Sequence, residues 1–151
     1  MKSTLALHGT CVDIQGSGVL ICGKSGTGKS SLALQLMDRG AILIADDQTL
    51  LSLEREELIL QSPVSLKGMM EVRGVGLCSF PVQQKSCLRL CVEICETEEL
   101  ERLPKPLFIE YYDRKIPLLK LNKDDPLGAL KVELKLCHPR EGALVSGGDF
   151  R

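Results

Sequence analysis

A chain of 151 residues is about the size of one domain, and with 44% hydrophobic and 26% charged residues it can bury a single core. Its 19 basic and 20 acidic side chains leave a formal net charge of -1, which excludes a polybasic nucleic-acid binder and a membrane-surface protein. Aromatic residues make up only 3% and Trp is absent, which argues against a base-stacking platform for single-stranded nucleic acid.

At the start, residues 1–5 lead into no signal-peptide core. No apolar run approaches the roughly 20 residues of a membrane span, so the chain is read as cytoplasmic. Residues 5–14 predict a strand or a bent pair of strands, followed by a turn at Gly16, Ser17 and Gly18. Residues 19–22 are a short continuous apolar run, as expected of a strand buried on both faces. A glycine-rich loop follows over 23–28. Residues 29–39 then carry Leu32, Leu34, Leu36 and Met37 at a spacing that suits a largely buried helix, with Gly40 as its stop. Residues 41–45 predict a second buried strand that ends in Asp46-Asp47. Strand, loop, helix and strand form a compact βαβ unit, in which 41–45 is expected to lie beside 19–22.

Beyond this unit the periods shorten. Residues 49–53, 57–61 and 64–67 predict short strands, and 72–80 is glycine-rich. A strand is expected over 88–94, a helical turn in the acidic stretch 96–102, and further strands over 109–112 and 115–121. Asp125-Pro126 opens a final helix from 126 to about 136, with Pro in its first turn. Residues 1–137 are expected to be the folded domain and 138–151 a flexible tail. Cys87, Cys91 and Cys95 alternate as in a strand, on one face with Arg89 and Glu93. With an odd total of seven cysteines, no CxxC pair and no nearby His, they read as small packing residues rather than as metal ligands or disulfides.

The strongest chemical signal is Gly23-Lys24-Ser25-Gly26-Thr27-Gly28-Lys29-Ser30, which fits G-x-x-x-x-G-K-[ST] at every fixed position. A phosphate needs several donors at once, and a loop of small residues lets successive backbone N–H groups turn around it. Side chains at Gly26 or Gly28 would block that approach. The following helix adds free amides and the positive end of its dipole. Lys29 supplies a charge for the outer phosphates and Ser30 a hydroxyl for Mg2+. The loop lies between a buried strand and an apolar helix, which is the setting the motif requires.

Asp46 and Asp47 end the next strand, at the carboxyl edge where the loop is expected. One carboxylate can serve the metal ion and the other handle a proton. Glu71, in Met70-Glu71-Val72-Arg73-Gly74-Val75-Gly76, reads alone as readily as a surface residue, and His8 beside Gly9 as readily as a structural one.

Taken together, His8-Gly9, Asp13-Ile14, Gly18-Val19-Leu20-Ile21, the 23–30 loop, Arg39-Gly40, Ala45-Asp46-Asp47 and the segment from Glu71 to Gly76 resemble, in order and spacing, HPr kinase/phosphorylase. The resemblance is strong over residues 7–77 and weak beyond. It implies an α/β fold with a P-loop and a mixed β-sheet core with few helices, similar to phosphoenolpyruvate carboxykinases. It implies an enzyme that uses ATP, or pyrophosphate, to phosphorylate a serine of the phosphocarrier HPr, and that removes the phosphate by phosphorolysis. By the same resemblance Asp46 is the proton acceptor. Ser30, Asp47 and Glu71 are the Mg2+ ligands, Lys29 holds the outer phosphates, His8 lies close to the transferred phosphate, and Arg73 belongs to the signature segment. Longer members carry a preceding domain, a basic loop and a C-terminal helical extension, which help dock HPr and build hexamers. This chain starts almost at the core and resembles the short proteobacterial form, for which a homo-oligomer is expected. The competing readings are a P-loop module that senses ATP without transferring phosphate, and a kinase of another substrate.

Overall fold

The computed structural model describes residues 3–96 and 100–137. Strands β1 (Thr4–His8), β2 (Thr10–Ile14) and β3 (Ser17–Gly23) lead to helix α1 (Lys29–Asp38). Strands β4 (Ile42–Ala45), β5 (Gln48–Glu54), β6 (Glu57–Gln61), β7 (Met69–Val72), β8 (Gly76–Ser79), β9 (Ser86–Cys95), β10 (Leu107–Tyr111) and β11 (Arg114–Asn122) follow, and α2 (Gly128–Cys137) closes the described chain. The expected mixed sheet with few helices is what forms. Neither helix is long and apolar enough to cross a membrane.

The main sheet runs β1-β5-β6-β9-β3-β2-β4, with the β10–β11 hairpin joined to β9. Strand β9 is the hub. One of its edges pairs with β3 in parallel. Its start also pairs with β6, at Ser86 and Cys87, and its end with β11, from Cys91 to Cys95, so the sheet forks beside it. The register along β3 slips between Gly18 and Val19, where Leu88 and Leu90 are the successive partners and Arg89 is the extra residue. This bulge corrects the single-face reading of β9. Leu88 and Cys91 pack into one core cluster, whereas Leu90, Val92 and Ile94 pack into the other.

The two clusters lie on opposite faces of the central strands. On one face, α1 buries Leu32, Ala33 and Leu36 and α2 buries Ala129 and Val132 against Val19, Ile21, Val92 and Leu121. On the other, Leu51, Leu58 and Leu60 of β5 and β6 and Ile116 of β11 close over Leu20, Ile44 and Cys91. Cys11 and Cys91 sit within this second cluster, and burial pushes both thiols up to about 12. They therefore stay protonated and act as packing residues, as expected for Cys91.

Turn chemistry explains the hairpins. Gln15-Gly16, Arg55-Glu56 and Tyr112-Asp113 each have positive φ at both residues, the requirement of a type I′ turn, whose twist matches the strands it joins. Helix α1 ends in a Schellman motif: Ala41 N–H donates to Leu36 C=O and Gly40 N–H to Met37 C=O, both at 3.0 Å.

Four expectations need correction. Strand β4 pairs with β2, not β3, because the tight Gln15-Gly16 turn folds β2 back along β3 and takes the neighbouring place. Residues 64–66 form a 3-10 turn after Pro63 rather than a strand. Residues 100–102 are not helical, and 97–99 lie outside the described residues, as does the expected tail 138–151. Helix α2 begins at Gly128, two residues later than its Pro suggested. Asp125 stops the chain first, accepting the Leu127 N–H at 2.8 Å and pairing with Lys131, whose hydrogen bond holds that carboxyl below its usual range.

Asp13 is a buried framework carboxylate. It accepts the Gly16 N–H at 2.8 Å and the Ser86 hydroxyl at 2.6 Å, fixing the β2–β3 turn to the start of β9. Asp13→Ala leaves both donors without their acceptor and is expected to cost about 1–3 kcal/mol in urea unfolding.

Candidate functional site

Strands β1 and β2 are one bent strand, and β4 and β5 are another bent in register with it. His8 pairs with Gln48 on one side of the bend and Cys11 with Ala45 on the other. Gly9 and Thr10 therefore lie against Asp46 and Asp47 at the corner. Backbone and side chains lace the two bends together. Gly9 N–H donates to the Asp47 carbonyl at 3.0 Å, and Asp47 N–H to Thr10 Oγ1 at 3.1 Å. Thr10 Oγ1 donates to Asp46 Oδ1 at 2.9 Å, and Thr49 Oγ1 to the Gly9 carbonyl at 2.9 Å. A Cβ at Gly9 would stand 2.9 Å from the Ile21 carbonyl oxygen, so glycine alone fits between the bend and β3.

The 23–28 loop leaves β3 at the same edge. Both β3 and β4 run antiparallel to β2, so they run parallel to each other and their carboxyl ends open on one side. Within the loop, Thr27 donates its N–H and its hydroxyl to the Lys24 carbonyl, at 3.2 and 2.6 Å. Lys29 is 7% exposed, and its Nζ donates to the carbonyls of Gly23 at 2.9 Å and Lys24 at 3.2 Å. Gly26, at φ 82°, would have nothing within 4 Å of an added Cβ. Its glycine is demanded by the backbone turn, and the open space above it is room that an anion can fill. Gly28 caps α1 without any side-chain hydrogen bond, so the first-turn amides have no side chain competing for them.

Loop and corner are joined by one contact: Ser30 Oγ donates to Asp46 Oδ1 at 2.7 Å. Asp47, at φ 66°, turns its carboxylate outward, and His8 Nε2 lies 3.5 Å from Asp47 Oδ1 with both side chains more than half exposed. Of the residues singled out in the sequence, Ser30, Asp46, Asp47 and His8 are thus brought together, next to the loop that carries Gly23, Lys24, Ser25, Gly26, Thr27, Gly28 and Lys29. Ser30 meets Asp46 rather than Asp47. Among the described residues, no hydrogen bond or ion pair joins Glu71 or Arg73 to this network. Glu71 is exposed on β7, whose neighbouring Met70 is the residue packed into the helix-side core, and Arg73 is exposed in the β7–β8 turn. Among the described residues, no three His, Cys, Asp or Glu side chains are grouped to hold a metal ion.

The donor set nevertheless suits Mg2+, which takes hard oxygen ligands and usually one or two carboxylates plus phosphate oxygens. A serine hydroxyl and two carboxylates stand at the mouth of the loop. Sequence reasoning missed Thr10 and Thr49. Each looks like an ordinary β-branched strand residue, and only their positions flanking the two bends distinguish them.

Residues 1–122 match the family model of the HPr Serine kinase C-terminal domain. This chain belongs to that family. HPr kinase/phosphorylase from Clostridium tetani is 48% identical over 75 residues, and that from a Bacillus cereus strain 47% identical over 78 residues. These stretches cover about half of this chain but only a quarter of each relative. The HPr(Ser) kinase/phosphatase structure from Coxiella burnetii superposes with a TM-score of 0.76 at 26% identity, over 86% of this chain and 92% of that one. The family's sheet-dominated α/β fold, with two helices in the described residues here, is therefore shared.

Proposed function

We propose that this chain is an ATP-dependent serine kinase of the phosphocarrier HPr, with Mg2+ as its metal ion, and that the same site removes the phosphate by phosphorolysis to give pyrophosphate. The observation that carries the reading is the 2.7 Å hydrogen bond between Ser30 and Asp46, which couples a glycine-rich loop at a helix N-terminus to a carboxylate on the adjoining strand edge. Family membership and the relatives' name, HPr kinase/phosphorylase, support HPr as the substrate.

The backbone amides of 23–28 and the first turn of α1 would hold the phosphates. Lys29 has three donors, two of them spent on loop carbonyls, and would turn them to the outer phosphate oxygens. Ser30, Asp47 and Glu71 would hold Mg2+. When bound, the ion neutralises phosphate charge. Asp46 takes the proton of the HPr serine as its oxygen bonds to the γ-phosphorus and the bond to the β-phosphate oxygen breaks, releasing ADP. In phosphorolysis an inorganic phosphate oxygen bonds to the phosphoserine phosphorus while the bond from that phosphorus to the serine oxygen breaks, protonated Asp46 gives its proton to the departing serine oxygen, and pyrophosphate is the other product. His8 would lie close to the transferred group and Arg73 would act from the signature segment. Assembly into a homo-oligomer, as in the hexamers of longer members, belongs to the same reading, as does a cytoplasmic site of action.

Incubation with ATP, Mg2+ and purified HPr is expected to yield phosphoserine on HPr. Chelating Mg2+ abolishes this, and later addition of phosphate releases pyrophosphate. Tight ATP binding without any transfer to HPr would instead favour an ATP-sensing module or a kinase of another substrate.

A further inference from the structure

Thr10 is fully buried at the bend between β1 and β2. A valine has the same shape, so the hydroxyl is explained only by what it bonds. A hydroxyl has one proton to give and lone pairs to receive with. Here a lone pair accepts the Asp47 N–H at 3.1 Å, and the proton goes to Asp46 Oδ1 at 2.9 Å. The amide can only donate, so the hydroxyl proton is directed to the carboxylate. One buried atom thereby ties the side chain of the first aspartate to the backbone of the second.

Both ends of that tie matter to the site. Ser30 donates to the same Oδ1 at 2.7 Å, so two hydroxyls occupy one carboxylate oxygen and neither reaches Oδ2. Asp47 stands at φ 66°, a left-handed conformation that a non-glycine residue keeps only where its surroundings hold it. Thr49 is not a substitute, because its hydroxyl is committed to the Gly9 carbonyl and lies 3.3 Å from Cys11 Sγ.

We infer that Thr10 is a positioning residue for phosphoryl transfer: its hydroxyl orients the Asp46 carboxylate so that Oδ2 is presented to the incoming serine, and holds the Asp47 turn that aims the second carboxylate at His8. This rests on Asp46 being the proton acceptor.

The test compares wild type, Thr10→Val and Thr10→Ser in transfer from ATP to HPr and in hydrogen exchange of the Asp47 amide by NMR. At saturating Mg2+, which offsets any loosening of Asp47 as a metal ligand, Thr10→Val is expected to lower kcat about 10-fold or more while KM for ATP stays within about threefold, because the lost contact to Asp46 acts on the reacting carboxylate. The Asp47 amide exchanges faster in Thr10→Val, and Thr10→Ser restores both readouts to within about threefold of wild type. A Thr10→Val protein with unchanged kcat or unchanged Asp47 exchange overturns the assignment. So does a failure of serine to rescue, which would make the methyl group the element that matters. If wild type itself transfers nothing to HPr, the kinase reading falls, and the exchange comparison alone decides whether Thr10 holds the aspartate turn.

Discussion

Asp46→Asn is expected to lower the rate of phosphoryl transfer to HPr by about 10²- to 10⁴-fold, the usual contribution of a positioned general base. The geometry makes this substitution clean. Thr10 and Ser30 both donate to Oδ1, so the amide oxygen of Asn is held where two hydroxyls need an acceptor. The NH2 group then occupies the place of Oδ2 and can take no proton. The fold and the loop are undisturbed, and ATP affinity is expected to stay within about threefold of wild type. A Mg2+ titration separates the two roles open to this carboxylate. If Asp46 mainly supported the metal ion, raising Mg2+ would restore the rate. Saturating Mg2+ is expected to leave the loss intact. A variant that keeps wild-type activity, or loses it in step with ATP affinity, would show that the base is elsewhere.

The loop, the helix after it and the Asp46-Asp47 edge were legible in the sequence because each is local. Small residues, a lysine, a hydroxyl and an apolar helix follow one another without a gap, and the Schellman stop at Gly40 is written in the same stretch. Strand order was not legible. Nothing in residues 10–14 says that they will occupy the place between β3 and β4, because that depends on a two-residue turn whose second residue is the only glycine in it. The turns at Arg55-Glu56 and Tyr112-Asp113 carry no glycine at all, so their left-handed residues leave no compositional trace. The bulge at Arg89 reset the alternation of β9 for a similar reason: it answers to the neighbouring register, not to the residue itself. At the site, the pairing of Ser30 with Asp46 rather than Asp47 follows from the left-handed turn at Asp47, which swings the second carboxylate away toward His8. Glu71 entered by resemblance alone, and its hairpin stands outside the main sheet, joined to the core through Met70 and Val72.

The glycines of the loop differ in kind, and a pair of substitutions separates framework from ligand. At Gly23 a Cβ would lie 2.7 Å from Thr27 Oγ1 and 2.9 Å from the Ile94 carbonyl oxygen. Ile94 is paired with Gly23 across the β3–β9 ladder, and Thr27 is buried with its hydroxyl on the Lys24 carbonyl. Neither neighbour can withdraw without giving up a hydrogen bond. Gly23→Ala is therefore expected to cost about 2–4 kcal/mol in urea unfolding, overpacking and a lost hydrogen bond together. At Gly26 the added carbon meets nothing within 4 Å, and only the left-handed backbone resists it, at about 1–2 kcal/mol. Yet that carbon would stand in the open space proposed for phosphate. Gly26→Ala should therefore lose ATP affinity out of proportion to its small loss of stability, while Gly23→Ala loses both together. Equal behaviour of the two variants in ATP binding, measured well below their unfolding midpoints, would mean that the space above Gly26 is not where the phosphates lie.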